Sequence, residues 1–155
     1  MDKKIGNYPF NFIDVIRPET DDNGNMIIDE YNLPISETHK FGKLKYCRFN
    51  VDEAQGKSGV YALFVGDDAK PVYIGSTYNL AVRWSREQYG KISEGNCKLK
   101  YGTRTNCHIN AYICQAAKEK KECKLYFYHI KDYKNIEREL IKAIKPELNE
   151  ILKNN

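Results

Sequence analysis

Two short runs rich in β-forming side chains, residues 60–65 (Val-Tyr-Ala-Leu-Phe-Val) and 72–74 (Val-Tyr-Ile), lie six residues apart. The segment between them, Gly66-Asp67-Asp68-Ala69-Lys70-Pro71, is dense in turn formers. The pair is predicted to form an antiparallel hairpin, and the rest of the chain must pack against a sheet begun there. Asn79 is predicted to cap a helix running through Leu80, Val82, Arg83 and Trp84 until Gly90 stops it. Asn106 is predicted to cap another, with Ile109, Tyr112, Ile113, Ala116 and Ala117 on one buried face. Residues 123–130, which include Tyr126-Phe127-Tyr128, return as a strand. Asp132 then caps a final helix that turns Ile136, Leu140, Ile141 and Ile144 inward and ends near Pro146. The order strand, strand, helix, helix, strand, helix predicts a mixed α+β fold, with a small, mostly antiparallel sheet flanked by helices.

Residues 1–58 give no comparable pattern and are expected to form an irregular N-terminal extension to a domain spanning 59–155, serving specificity, dimerisation or packing. Asn23-Gly24, between residues 12–16 and Met26-Ile27-Ile28, suits a tight turn joining paired extended segments. A calcium loop is excluded because Met26 stands where its glycine is required. Gly56-Lys57-Ser58 is no phosphate loop, since Val51 replaces the leading glycine.

At 155 residues with 41% hydrophobic and 30% charged side chains, the chain has enough apolar surface for a single core and is not disordered. No apolar run is long enough to span a membrane, and Met1-Asp2-Lys3-Lys4 leads into no signal-peptide core. The five cysteines form no secreted-domain pattern, so reduced thiols and a cytoplasmic location are expected. Cys97, Cys107, His108, Cys114 and Cys123 lack the short paired spacings of a zinc site. Residues 1–58 hold 8 Lys/Arg against 10 Asp/Glu, a balance of −2, and residues 59–155 hold 17 against 11, a balance of +6. A face that binds polyanions is therefore expected in the second part.

Gly59-Val60-Tyr61, then eleven residues, then Tyr73-Ile74-Gly75 resembles the paired signature of the GIY-YIG nuclease superfamily, with Val60 for the first Ile. After seven intervening residues comes Arg83, at the place of the family's catalytic arginine. Glu137, in Glu137-Arg138-Glu139-Leu140-Ile141-Lys142, resembles the metal-binding glutamate, and Asn149 the closing asparagine. The resemblance covers roughly residues 59–150 and implies a nuclease with Mg²⁺ or Mn²⁺ held by Glu137. Tyr61 is implied as general base, with Tyr73 as a second hydroxyl facing the phosphate or as the base itself. Gly75 and Asn149 are implied as structural residues near the site. The family often carries a histidine one helical turn after the arginine, where this chain has Glu87. His108 either fills that space from the next helix or is a core histidine.

The residue types suit this chemistry in their own right. Alternation puts Tyr61 and Tyr73 on paired strands, where two phenols can flank one phosphate. The planar, always-charged fork of Arg83 matches non-bridging phosphate oxygens. One carboxylate is enough for a hard divalent ion that keeps most of its waters. A free phenol, with a pKa near 10, needs help to act as a base at neutral pH.

Residues 83–104 carry Arg83, Arg86, Lys91, Lys98, Lys100 and Arg104 with Tyr89 and Tyr101 interleaved. Arg86, Lys98, Lys100 and Arg104 are the expected DNA-binding residues; the other reading of this stretch is a solvated basic loop. The expected activity is double-strand DNA cleavage by an endonuclease resembling type II restriction enzymes. With one site per chain, it would act as a homodimer on DNA. The alternatives are a structure-selective or mobile-element nuclease of the same superfamily, and a catalytically idle DNA-binding module.

Overall fold

The computed structural model describes residues 2–34, 44–98 and 104–153. Five strands form one antiparallel sheet: β1 (Lys3–Ile5), β2 (Tyr8–Ile16), β3 (Gly59–Val65), β4 (Tyr73–Thr77) and β5 (Cys123–His129), in the order β1-β2-β5-β3-β4. With five helices, α1 (Leu80–Arg83), α2 (Glu94–Cys97), α3 (Arg104–Lys118), α4 (Tyr133–Ile144) and α5 (Glu147–Lys153), the architecture is α+β. The predicted hairpin is β3–β4, and it lies at one end of the sheet, so β4 is an edge strand. No helix among the described residues is long and apolar enough to cross a membrane.

Alternation along β3 divides the core. Tyr61, Leu63 and Val65 face a cluster that includes Trp84, Tyr89, Ile109, Ile113, Cys114 and Leu125. Val60, Ala62 and Phe64 face the opposite side, against Phe10, Ile74, Tyr126, Ile136 and Leu140. One layer is thus built on α1 and α3, the other on α4. All five cysteines are free and buried.

The first 58 residues are less irregular than their sequence reads. β2 pairs with β5 from Asn11↔Phe127 to Ile16↔Cys123, interrupted by a bulge between Phe12 and Asp14. Pro9, Asn11 and Asp14 obscure the strand pattern, which the neighbouring β5 imposes. The Asn23-Gly24 turn closes a short bridge, Thr20↔Met26, rather than pairing residues 12–16 with 26–28. Cys47, Phe49, Val51 and Ala54 are buried in the same core as Tyr61. The boundary expected at residue 58 therefore crosses one sheet and one core.

Three helical features differ from expectation. Asn106 is buried inside α3, which begins at Arg104, and is not its cap. Asp132 occupies the N-cap of α4 but its carboxylate accepts from the Asn135 side chain instead of a backbone N–H. The helix capped by Asn79 stops at Arg83, and residues 84–90 continue as turns. There the Ser85 hydroxyl donates to the Val82 carbonyl and accepts from the Glu87 N–H, competing with helical bonds. The one-turn α2 and the closing α5 have no counterpart among the helices expected from the sequence.

Asn110 joins these pieces. Fully buried, it accepts from the Cys47 N–H (2.9 Å) and donates to the carbonyls of Cys47 (2.9 Å) and Tyr89 (2.8 Å). Asn110→Ala would strand three buried backbone groups. The expected loss is about 2–4 kcal/mol, or roughly 5–15 °C in Tm, measured by thermal denaturation.

Candidate active site

Tyr61 and Gly75 are directly opposite one another across the β3–β4 ladder. A Cβ on Gly75 would lie 2.4 Å from the Tyr61 hydroxyl oxygen, so only glycine lets the phenol extend over the edge strand. Gly59 is required for a similar reason, since a Cβ there would lie 2.1 Å from the Tyr128 carbonyl oxygen. Tyr73 stands opposite Leu63, which makes it the diagonal neighbour of Tyr61 on the same face; their ring centroids are 6.2 Å apart.

The Tyr61 hydroxyl oxygen lies 2.6 Å from that of Tyr89 and accepts from Arg83 Nε at 3.4 Å. Arg83 also donates through Nη1 to Gln88 Oε1 at 2.7 Å. Its guanidinium carbon sits 4.6 Å from the centre of the Tyr89 ring, a cation–π contact. Trp84 closes the cluster, meeting Tyr61 and Tyr89 edge-on at centroid distances of 5.4 and 4.7 Å. The short helix and the turns after it therefore deliver Arg83, Trp84, Gln88 and Tyr89 to one place.

Glu137 approaches from the other side of the sheet. It lies on α4, half-buried, and accepts a hydrogen bond from Ser76 at 2.9 Å. Ser76 is next to Gly75, so phenols and carboxylate meet the same stretch of β4 from opposite faces. This edge strand is closed by α5. Asn149 accepts from the Ile74 N–H and donates to the Ile74 carbonyl, both at 2.8 Å, in place of a sixth strand.

Electrostatics tie the groups together. Burial pushes the Tyr61 phenol above its ordinary value; Arg83 and the Tyr89 hydroxyl pull it down without reversing the shift, and Glu137 adds to the rise. Burial also raises Tyr73, helped by Tyr61 and Glu137, and raises Tyr89 well above the usual phenol range. All three are neutral at pH 7 in the free protein. Burial disfavours the charge on Arg83, but Tyr89 and Tyr61 outweigh it and the net shift is upward.

Arg83 differs from three other arginines in one respect. Arg17, Arg48 and Arg86 are salt-bridged to Asp14, Asp29 and Glu19. Arg83 is half-buried, yet among the described residues its hydrogen bonds go only to neutral groups. A sequestered cation without a counter-ion is costly unless an anion completes it.

His108 is half-buried on α3. Glu87 is exposed and lines a groove with Asn50, Val51, Asp52 and Ser85. Arg86 is tied to Glu19, and Arg104 Nη2 donates to the Leu152 carbonyl, so both have structural partners. Lys98 is exposed at the end of α2, and Lys100 lies outside the described residues. Tyr89, Gln88 and Ser76 join the cluster without being expected there. The only signals for them in the sequence are Tyr89's place among basic residues and Ser76's adjacency to the second triplet.

Comparison with protein-family models, curated proteins and solved structures finds no match for this chain.

The packing at Gly75 and the buried phenols can each be tested by stability. Gly75→Ala should force the Tyr61 hydroxyl off Tyr89 and Arg83 and cost about 1–3 kcal/mol, read as a lower Tm. The raised phenols hold their protons to higher pH when folded than the unfolded chain does at about pH 10. Their contribution to stability is therefore intact below that pH and lost above it. Tm should be flat with respect to these groups from pH 7 to 9 and fall above about 10, less steeply in Tyr89→Phe.

Proposed function

We propose that this protein is a metal-dependent endonuclease of the GIY-YIG type that hydrolyses DNA phosphodiester bonds. The observation that carries this reading is Arg83: a half-buried guanidinium that has no carboxylate partner among the described residues, between two tyrosines, at the edge strand that Glu137 meets from the other face. Among the described residues no group of three or more His, Cys, Asp or Glu could hold a metal ion. Glu137 is nonetheless suited to Mg²⁺ or Mn²⁺, ions that take one or two protein carboxylates and complete their shell with water and phosphate oxygens. The ion would supply Lewis-acid stabilisation of charge on the phosphate.

The chain's own residues divide the remaining work. Arg83, whose Nε and Nη1 donate to Tyr61 and Gln88, presents the rest of its N–H fork to a non-bridging phosphate oxygen. Tyr61 is the general base, able to take the proton of the attacking water once ionised. Two donors, Arg83 Nε and the Tyr89 hydroxyl, act on its oxygen to favour that form. Tyr73 offers a second hydroxyl beside it. Ser76 orients the Glu137 carboxylate. Because Tyr61 starts neutral, the rate should climb with pH through the neutral range, by about tenfold per unit below the plateau.

Double-strand cleavage by one such cluster per chain calls for two copies on the DNA, and discrete fragments from plain plasmid would mark the restriction-like form. The test is plasmid digestion in Mg²⁺ or Mn²⁺. Glu137→Ala should abolish cleavage while DNA binding and Tm stay close to wild type. Arg83→Ala should slow it by about a hundredfold or more. Intact plasmid after incubation with folded wild-type protein in both metals overturns the reading.

A further inference from the structure

We infer that Gln88 is a positioning residue whose neutral amide fixes the Arg83 guanidinium without cancelling its charge, reserving that charge for a phosphate; this rests on the nuclease reading above. Three contacts hold the guanidinium plane: Gln88 Oε1 on Nη1 at 2.7 Å, the Tyr61 hydroxyl on Nε at 3.4 Å, and the Tyr89 ring beneath at 4.6 Å. None carries a full negative charge at neutral pH. The turn bringing Gln88 to Arg83 is itself anchored. The Gln88 N–H donates to the Ser85 carbonyl, the Tyr89 N–H to the Arg83 carbonyl, and the Tyr89 carbonyl accepts from buried Asn110.

The choice of an amide at this position has electrostatic consequences. A carboxylate of the same length would form an ion pair with Arg83, as Asp29 does with Arg48 at 2.7 Å. Such a pair would hold the fork equally well but would weaken its pull on a polyanion. The preceding residue, Glu87, has a side chain of nearly the same size and is exposed, lining a different groove. Acid and amide are thus adjacent in sequence, with the amide on the arginine.

Two substitutions separate position from charge. Gln88→Glu keeps the shape and adds the charge. In a Glu137→Ala background its affinity for a DNA duplex should fall about tenfold at low salt, and log K against log salt should become shallower by about one contact. Gln88→Met keeps the length and neutrality but removes the acceptor. Its affinity and salt slope should match the parent, while single-turnover cleavage with Glu137 intact should slow about tenfold or more. A Gln88→Met protein that cuts at the wild-type rate overturns the positioning role, and an unchanged salt slope in Gln88→Glu overturns the charge argument. Nitrogen-15 NMR of the Arg83 Nε–H group gives a readout that does not depend on DNA. The signal should be exchange-protected in wild type and lose protection in Gln88→Met; equal protection in the two overturns the inference. Wild-type protein that neither binds nor cuts DNA but shows the protection difference would instead count against the nuclease reading.

Discussion

The cluster depends on the passage of the Tyr61 phenol over Gly75. The strand ladder makes the two residues partners, and the missing side chain on Gly75 leaves room for the ring to reach the edge of the sheet. Once there, its oxygen meets the Tyr89 hydroxyl and Arg83 Nε together. A methyl group on residue 75 would remove this meeting point while leaving the strand pairing possible. The glycine therefore acts through close approach, and its backbone has no positive φ.

An edge strand is a hazard in a soluble sheet, because its backbone groups invite further pairing. Here β4 is used for two purposes. Asn149 satisfies its outer backbone groups at Ile74, and the Leu148 N–H donates to the carbonyl of Val72 just before the strand. At Gly75 and Ser76, side chains from the two faces of the sheet come round the same edge, with phenols and guanidinium on one side and a carboxylate on the other. This arrangement keeps Arg83 and Glu137 close to a common strand without joining them in a salt bridge, which leaves each available to a ligand of opposite charge.

Segments that read as separate in the sequence support this arrangement. Residues 46–54 lie beneath the turns after α1, where the Phe49 and Val51 N–H groups donate to the carbonyls of Gly90 and Trp84. Asn110 of α3 holds both Cys47 and Tyr89. Arg86 and Arg104, basic residues that composition alone assigns to a DNA-facing surface, are engaged by Glu19 and by the Leu152 carbonyl. Charge along a sequence counts cations but does not say which of them the fold has already used.

Local sequence determined the β3–β4 hairpin, the strand at β5, the amphipathic faces of α3 and α4 and the cap at Asn79, because each depends on spacing and propensity within one short segment. Tyr61, Tyr73, Arg83 and Glu137 stand out in the sequence through the resemblance of the two triplets, the arginine after them and the acidic segment near the C-terminus to a known set of motifs. Local sequence did not reveal β2, whose polar residues and proline obscure a strand that forms because β5 offers it a partner. Nor did it reveal Tyr89, Gln88 and Ser76, since a hydroxyl or amide becomes part of a site only through what the fold sets within about 3 Å of it. That Arg86 meets a carboxylate while Arg83, among the described residues, hydrogen-bonds only to neutral groups was likewise decided by tertiary structure, because pairing depends on distances between residues far apart in the chain.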